Sequence, residues 1–433
     1  MPNMKLSLFF LLFLIVCVQP LPASPLLSLD DALDMALRNH PQIAEVEATL
    51  FGTEARNRLA QAGYYPQVTA AADWNKGRTY ITALENIKAT EVSTVTFSVR
   101  QTIYDFGRTS GAAGVARCNQ DAAEKSLRIT RQDLSLRVKS AFYLLLAAEK
   151  QVTAVAETVT SRSAVLHQAQ EFFNQGIRSK VDVSRAESNV YGAKTSLIRA
   201  ENSRELARLE LANAMGIPSL GELQPVEPPA LTAPVPERSV VQQAALRNRG
   251  ELQQLADLKA AAVANLKSAK GSYLPLFSGT ANIGYADRDI PPTGGVWSVG
   301  LNLTVPLFSG FSSVEQVKEA IAAINAIEAR QNSLRLQIGT EAESAWLAVN
   351  EASARMASTE KEVVAATESK TLAEERYNEN VGNIIEVTDA HSQVLEAQSA
   401  SIQARYDYYI AQARLNHAVG SDIDRSGVIY GFK

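Results

Sequence analysis

Asp182 and Glu386 are charged side chains whose type and placement suit electrostatic work. They lie at or beside two short turn-like segments, Phe172-Phe-Asn-Gln-Gly-Ile-Arg-Ser-Lys-Val-Asp182 and Tyr377-Asn-Glu-Asn-Val-Gly-Asn-Ile-Ile-Glu386, and each segment joins two long helical patterns. A carboxylate just past such a turn lies at a helix N-terminus, where the helix dipole favours negative charge. Catalytic chemistry has no comparable footing. His40, His167, His391 and His417 are scattered without metal-ligand spacing. There is no Gly-rich phosphate loop, and the serines and acidic residues fall at helix-surface spacing. His40, ahead of Pro41, reads as a structural residue at a helix bend, and His391 and His417 read as surface residues of a late helix. No enzyme activity, cofactor or metal site is expected.

The elements that position the two turns are written twice. Ala-Leu-Arg-Asn at 36–39 returns at 245–248, and the Tyr-x-Pro ending at Pro66 returns as Tyr273-Leu274-Pro275, both at an offset of 209. Asn213-Ala-Met-Gly216 is answered by His417-Ala-Val-Gly420 at an offset of 204. The same order of motifs in both halves implies a duplicated structural unit. Each half reads helix, strand, strand, long helix, helix. Ser28 opens the first helix in a capping box, with the helix running to about Ala62; Ser239 plays that part in the second half, with a helix to about Lys270.

The long helices carry the strongest periodicity. Leu134, Val138, Ala141, Leu145, Ala148, Val152, Val155 and Val159 step alternately by four and three, and 204 residues later stand Ile338, Ala342, Ala345, Val349, Ala352, Met356, Thr359 and Val363. The following helix repeats the pattern with Val183, Ala186, Val190 and Ala193, matched by Val387, Ala390, Val394 and Ala397. These are coiled-coil seams in which alanines permit close approach. A helix from about Gly107 to Phe172 would be roughly 95–100 Å long.

The strands alternate with period two. Val68, Ala70, Ala72 and Trp74 form one set and Val95, Phe97 and Val99 the next; Phe277 to Tyr285 and Trp297 to Leu307 repeat the arrangement. About ten alternating residues suffice to cross a bilayer at a tilt. Arg100 lies on the polar side of its strand.

The termini set the compartment. Lys5, the apolar run Leu6–Val18 and the small-residue exit near Ala23-Ser24 read as a secretory signal peptide. Beyond it Cys118 is the one remaining cysteine, so no internal disulfide is expected, and it reads as a packing residue. The net charge of −4, without basic clusters, gives no argument for nucleic acid. The expected organisation is a signal at 1–23, a first repeat at 24–216, a Pro-rich extended crossover at 217–237, a second repeat at 238–420 and a tail at 421–433.

Four strands cannot close a membrane barrel, for which about eight are needed, and an open sheet in lipid would leave unpaired edges. If these strands enter a membrane, several chains must share one barrel. The chain resembles the TolC-like outer-membrane efflux and secretion channels over about residues 27–420. The resemblance rests on Leu33-Asp-Met-Ala-Leu-Arg-Asn-His-Pro41, Tyr64-Tyr-Pro66, Gln101-Thr-Ile-Tyr-Asp-Phe-Gly107, Val305-Pro-Leu-Phe-Ser-Gly310, Arg376-Tyr377, Glu386-Val-Thr-Asp-Ala390, Gly216 and Gly420.

That resemblance implies an α+β fold made mainly of long α-helices. It implies a homotrimer with a twelve-stranded outer-membrane β-barrel, continued by a periplasmic α-helical coiled-coil barrel. It also implies a passive duct served by a periplasmic adaptor (membrane fusion) protein and an inner-membrane pump or ABC transporter. On the same footing, the turns close the tunnel and dock the adaptor. Glu386, Asp389, Asp182, Arg185 and Tyr377 become candidates for the gate, and Asn174, Gly176, Ser179, Asn380 and Gly382 for the docking tips. Gly382 stands where some members carry a gate-locking arginine. Carboxylates ringed about a pore would hold cations and repel one another; solvated helix-start charges account for the same residues. The competing class is a secreted coiled-coil scaffold or binding protein without a pore.

Overall fold

The structure, a computed structural model, describes residues 26–81, 86–229 and 236–421. The expected signal peptide, the centre of the crossover and most of the C-terminal tail lie outside those residues. Chain contacts divide the molecule into two units. One holds 1–40, 134–232 and 351–413, the other 41–133, 233–350 and 414–433.

The second unit contains the sheet. Its strands β2 (Gln67–Ile81), β3 (Asn86–Tyr104), β5 (Leu276–Asp287) and β6 (Gly295–Thr304) pair antiparallel in the order β2-β3-β5-β6. The register places the apolar positions side by side. Ala70 pairs with Phe97, Phe97 with Ile283 and Ile283 with Trp297; the next row runs Val68, Val99, Ala281, Val299. Directly opposed residues share a face, so these rows build one apolar face. It is open, with Phe97 54%, Ile283 65%, Trp297 79% and Val299 75% exposed. The other face is polar: Asn282 donates to Ser298 Oγ at 3.1 Å and Asn302 to Thr280 Oγ1 at 3.3 Å. The last strand ends at Thr304, short of the expected Leu307, because Pro306 cannot continue the ladder and the chain turns into the next helix.

Each half of the chain opens with a broken helix rather than a continuous one. In the first, α1 (Leu29–Asn39) and α2 (Pro41–Gln61) are separated at His40. Pro41 starts α2, where its missing N–H costs nothing. Ser28 caps α1 as expected, its Oγ accepting from the Asp31 N–H at 3.1 Å. In the second half, α5 (Arg238–Asn248) and α6 (Gly250–Gly271) break at Arg249. There the N-cap is Glu237, and Ser239 lies inside the first turn.

Glycines in left-handed conformation secure both breaks. Gly216, at φ +70, lies so close to His40 that a Cβ would meet its Cα at 2.7 Å; Gly420, at φ +66, lies as close to Asn248 and Arg249. In the second unit Arg249 is also buried, bridging Glu251 at 2.7 Å and Glu341 at 3.1 Å.

The long helices α3 (Arg108–Asn174) and α7 (Ser312–Asn378) each contain 67 residues, and α4 (Lys180–Ala214) and α8 (Ile384–Ala418) each contain 35. At 1.5 Å per residue the former measure about 100 Å. The seams are covered. Leu134, Val138, Leu145, Ile338, Ala342, Val349, Ala186, Val190, Val387 and Ala390 are all buried. Along α3 the seam drifts by one residue, so that Thr158 is buried where Val159 is half-buried; a straight helix falls out of step with a seven-residue repeat in this way.

In the helical unit, β1 (Leu26–Leu27) pairs parallel with β4 (Gln224–Pro225) of the crossover. Glu227, just beyond, takes Lys150 at 3.5 Å, Arg405 at 3.0 Å and the Tyr406 hydroxyl at 3.4 Å. The described first part of the crossover is thus bound to α3 and α8. Beneath it Tyr409 meets Tyr406 edge on and Tyr143 at a tilt, and burial pushes the Tyr143 hydroxyl up to about 12.

Candidate functional site

The α3–α4 and α7–α8 turns are built alike and lie together in the helical unit. In the first, the Ile177 N–H reaches back to the Phe172 carbonyl at 2.9 Å; in the second, the Val381 N–H reaches the Arg376 carbonyl at 2.9 Å. Such a reach-back closes a helix whose last residue is left-handed. Gly176 fills that position at φ +76 in the first turn, and Asn380 at φ +61 in the second, asparagine being one of the few other residues that tolerate it.

The restarts differ. Ser179 precedes α4 in extended conformation without a side-chain cap. Asn383 caps α8, its Oδ1 accepting from the N–H groups of Ile385 at 2.9 Å and Glu386 at 3.0 Å.

The two turns are joined by Arg178. Its Nη2 donates to the Gly382 carbonyl at 2.8 Å, and its guanidinium lies 5.0 Å from the centre of the Tyr377 ring. Tyr377 is not a surface tyrosine. It is 1% exposed, packs with Ile384 and Val387 against Val165 and Phe172, and has its ring 5.8 Å from that of Phe172. Burial, with Asp182 nearby, raises its pKa. Its hydroxyl is buried without a partner, as is Arg178 Nε. Gly382 is also buried, and a Cβ there would meet Arg376 Cβ at 3.0 Å. The residue offers its carbonyl to Arg178.

The remaining candidates are more open. Asp182 is half-buried in the first turn of α4, and Arg185, Glu386 and Asp389 are exposed, as are Asn174, Gly176, Ser179 and Asn380. Glu386 is not a bare carboxylate: Arg376 Nε approaches it at 3.4 Å and Asn383 Nδ2 at 3.3 Å. Arg178 and Asn383 were not picked out by sequence reasoning, and Arg376 only as part of the Arg376-Tyr377 motif, without a role at the site. The signal for Arg178 was present, since 178 and 382 are equivalent positions at the repeat offset of 204.

A second feature overturns an expectation. His391 is buried, not on the surface, with Nε2 2.7 Å from Glu374 Oε1. Beside it, Arg162 from α3 donates to the Asn189 carbonyl at 3.3 Å and Ser392 Oγ at 3.1 Å. Desolvation lowers the His391 pKa against the pull of Glu374. His417 pairs with Asp133 at 2.7 Å. Among the described residues no group of three or more His, Cys, Asp or Glu side chains is arranged to hold a metal ion.

An antiparallel sheet with one open apolar face, carried on very long paired helices, defines the class of outer-membrane channels. The comparisons agree. The family model described as outer membrane efflux protein matches residues 32–217 and 241–421. Protein CyaE of Bordetella pertussis is 26% identical over 407 residues, covering 91% of this chain and 84% of its own length. Outer membrane protein TolC of Vibrio cholerae is 23% identical, covering 91% of each. Among solved structures, the outer-membrane channel OprN superposes with a TM-score of 0.82 at 20% identity, over 90% of this chain and 89% of that one. The outer membrane protein VceC of Vibrio cholerae gives 0.81 at 20% identity, over 92% and 97%. The chain belongs to the outer membrane efflux protein family. It is an outer-membrane channel protein, and the pore-free scaffold reading finds no support.

Proposed function

We propose that three copies of this chain form a passive exit duct, with their four-stranded sheets closing one twelve-stranded barrel and their helices continuing it as a periplasmic tunnel. The observation that carries this reading is the sheet. Its apolar face is open along β3, β5 and β6, while β2 and β6 each leave one edge unpaired among the described residues. In lipid the apolar face is favourable and the edges are not, so the edges must find partners on other copies. The matched lengths of α3 with α7 and α4 with α8 support an internal duplication with repeats at 24–216 and 238–420, joined by the crossover at 217–237. Such a duct has no energy source of its own. An inner-membrane pump or ABC transporter, coupled through a periplasmic adaptor at the exposed tips Asn174, Gly176, Ser179 and Asn380, supplies substrate and drive.

In this assembly Glu386 and Asp389, with Asp182 and Arg185 on the neighbouring helix pair, ring the narrow end of the tunnel. Carboxylates at a constriction hold cations and disfavour anions. The test is a Glu386→Gln, Asp389→Asn double variant in planar bilayers. Resting conductance is expected to rise or cation selectivity to fall. Single-channel currents identical to wild type would defeat the gate assignment. Extraction of the wild type as a soluble periplasmic monomer would defeat the duct itself.

A further inference from the structure

In the sheet-bearing unit a cavity of about 330 Å³ opens where β3 runs into α3, between the turn after α2 and the side of α6. Its volume falls at the lower end of the roughly 300–1,000 Å³ typical of small-molecule sites. Gly63, Tyr64, Tyr104, Asp105, Ser110 and Lys267 are among its lining residues. Two glycines keep it open. A Cβ at Gly63 would meet Thr109 Cγ2 at 2.9 Å, and one at Gly107 would meet Lys267 Cε at 3.1 Å, with φ at +98.

The cavity brings two opposite charges to one space. Among the described residues Lys267 has no ion pair, so its ammonium is available to an incoming anion. Asp105 is fixed as an acceptor, taking the Gly107 N–H at 3.1 Å on Oδ1, the Thr109 N–H at 2.6 Å on Oδ2 and a further bond from the Thr109 side chain, which leaves the carboxylate one of its roughly four lone-pair sites. The surroundings are aromatic. Tyr104 and Phe106 stack edge to face at 4.6 Å, and Tyr64, Tyr65, Phe308 and Phe311 are exposed at the same end of the sheet. Exposed aromatic residues at one end of an apolar strand face mark the level of lipid headgroups.

We propose that this cavity binds the headgroup of a zwitterionic phospholipid carrying a primary ammonium, that is, a phosphoethanolamine group. Lys267 meets the phosphate, joined by the Ser110 hydroxyl once it turns from the Gly107 carbonyl that it reaches at 3.4 Å, Asp105 accepts from the ammonium, and the aromatic rim lies along the glycerol and upper acyl chains. A choline headgroup has no N–H to give Asp105, and a glycerol headgroup has no cation. This assignment rests on the membrane reading of the sheet given above.

The experiment is native mass spectrometry of the detergent-purified, delipidated full chain. It is titrated with short-chain phosphatidylethanolamine, phosphatidylcholine and phosphatidylglycerol, and separately with inorganic phosphate as competitor. Phosphatidylethanolamine is expected to bind with about tenfold preference over both other lipids, and Lys267→Gln to weaken it about tenfold, the size of one charge-assisted hydrogen bond. Because Lys267 is exposed, its variant keeps the wild-type melting temperature. Asp105→Asn is expected to abolish the preference over phosphatidylcholine while leaving phosphate-dependent binding. Equal binding of the three lipids, or unchanged affinity in Lys267→Gln, overturns the proposal. Displacement of the lipid by millimolar inorganic phosphate reassigns the cavity to a free anion and also overturns it. Conductance of the same preparation in planar bilayers is read in parallel. A conducting channel without lipid preference defeats the site alone, whereas a preparation that neither trimerises nor conducts defeats the duct reading.

Discussion

Arg178 and Gly382 occupy equivalent positions of the two turns and play different parts: one donates from its side chain, the other accepts on its backbone carbonyl at a place where a Cβ would meet Arg376 Cβ at 3.0 Å. An arginine at both positions would set two cations side by side, and a glycine at both would leave no donor. Arg178 spends its guanidinium on the partner turn's carbonyl and on the face of Tyr377, both in a largely buried setting. A charge-assisted hydrogen bond and a cation–π contact together represent about 2–4 kcal/mol of local stability. Arg178→Ala is therefore expected to raise amide exchange at Val381 and Gly382 by at least about tenfold. In bilayers it is expected to lengthen resting openings. Unchanged exchange at those two amides would show that the contact does not hold the turns together. Arg178→Lys should recover little, since lysine offers a point charge in place of a planar group that both stacks and donates.

At the scale of the helices, the polar layer around His391 makes a prediction with a defined sign. The imidazole is faced by Glu374 and Lys370 from α7 and by Arg162 from α3. Its folded pKa lies below the ordinary 6.5 because burial outweighs the carboxylate. The folded state therefore prefers the neutral ring. The resulting stability is fully present above pH 6.5 and is lost as pH falls through the folded value. Melts of the wild type are expected to shift downward as pH falls below 6.5 by more than those of His391→Gln. Parallel pH profiles for the two proteins would remove His391 as the cause.

This layer also shows what could be read in advance and what could not. The four-and-three spacing on α3, α4, α7 and α8 announces the buried seams because a helix places every third or fourth residue on one face. His391 lies next to the seam residue Ala390, and only the neighbouring helix decides that it faces Glu374 rather than water. The breaks at His40 and Arg249 were half legible. Pro41 announces the first, whereas Gly250 gives little sign of the second, which is fixed by the approach of Gly420 and the ion pairs of Arg249. At the tips, the turns and their carboxylates were legible from composition. Burial of Tyr377 was not, since it depends on Phe172 and Arg178 arriving from the other hairpin.

For the whole molecule the decisive quantity is the number of copies that close the sheet. Among the described residues β2 pairs only with β3, and β6 only with β5, so each has an edge whose N–H and C=O groups find no partner strand there. Each such group left unpaired in hydrocarbon costs several kcal/mol, far more in sum than the stability of a typical domain. A head-to-tail contact of β2 on one copy with β6 on the next satisfies both edges at once, and a heterologous contact of this kind closes into a ring. Four strands per copy reach the practical minimum of about eight with two copies and give twelve with three. With 67-residue helices attached to each hairpin, two copies leave less room for a lumen than three. Cysteines placed at Ala71 on β2 and, in turn, at Ser298, Gly300 and Asn302 on β6, in a Cys118→Ser background, test the count directly. Mild oxidation in the outer membrane is expected to give, for at least one pair, a covalent ladder that ends at three chains, and reduction should collapse it to one. A ladder ending at two, or one that continues past three, would sink the twelve-stranded barrel. Monomers throughout the scan would show that these edges are covered by something other than a second copy of this chain.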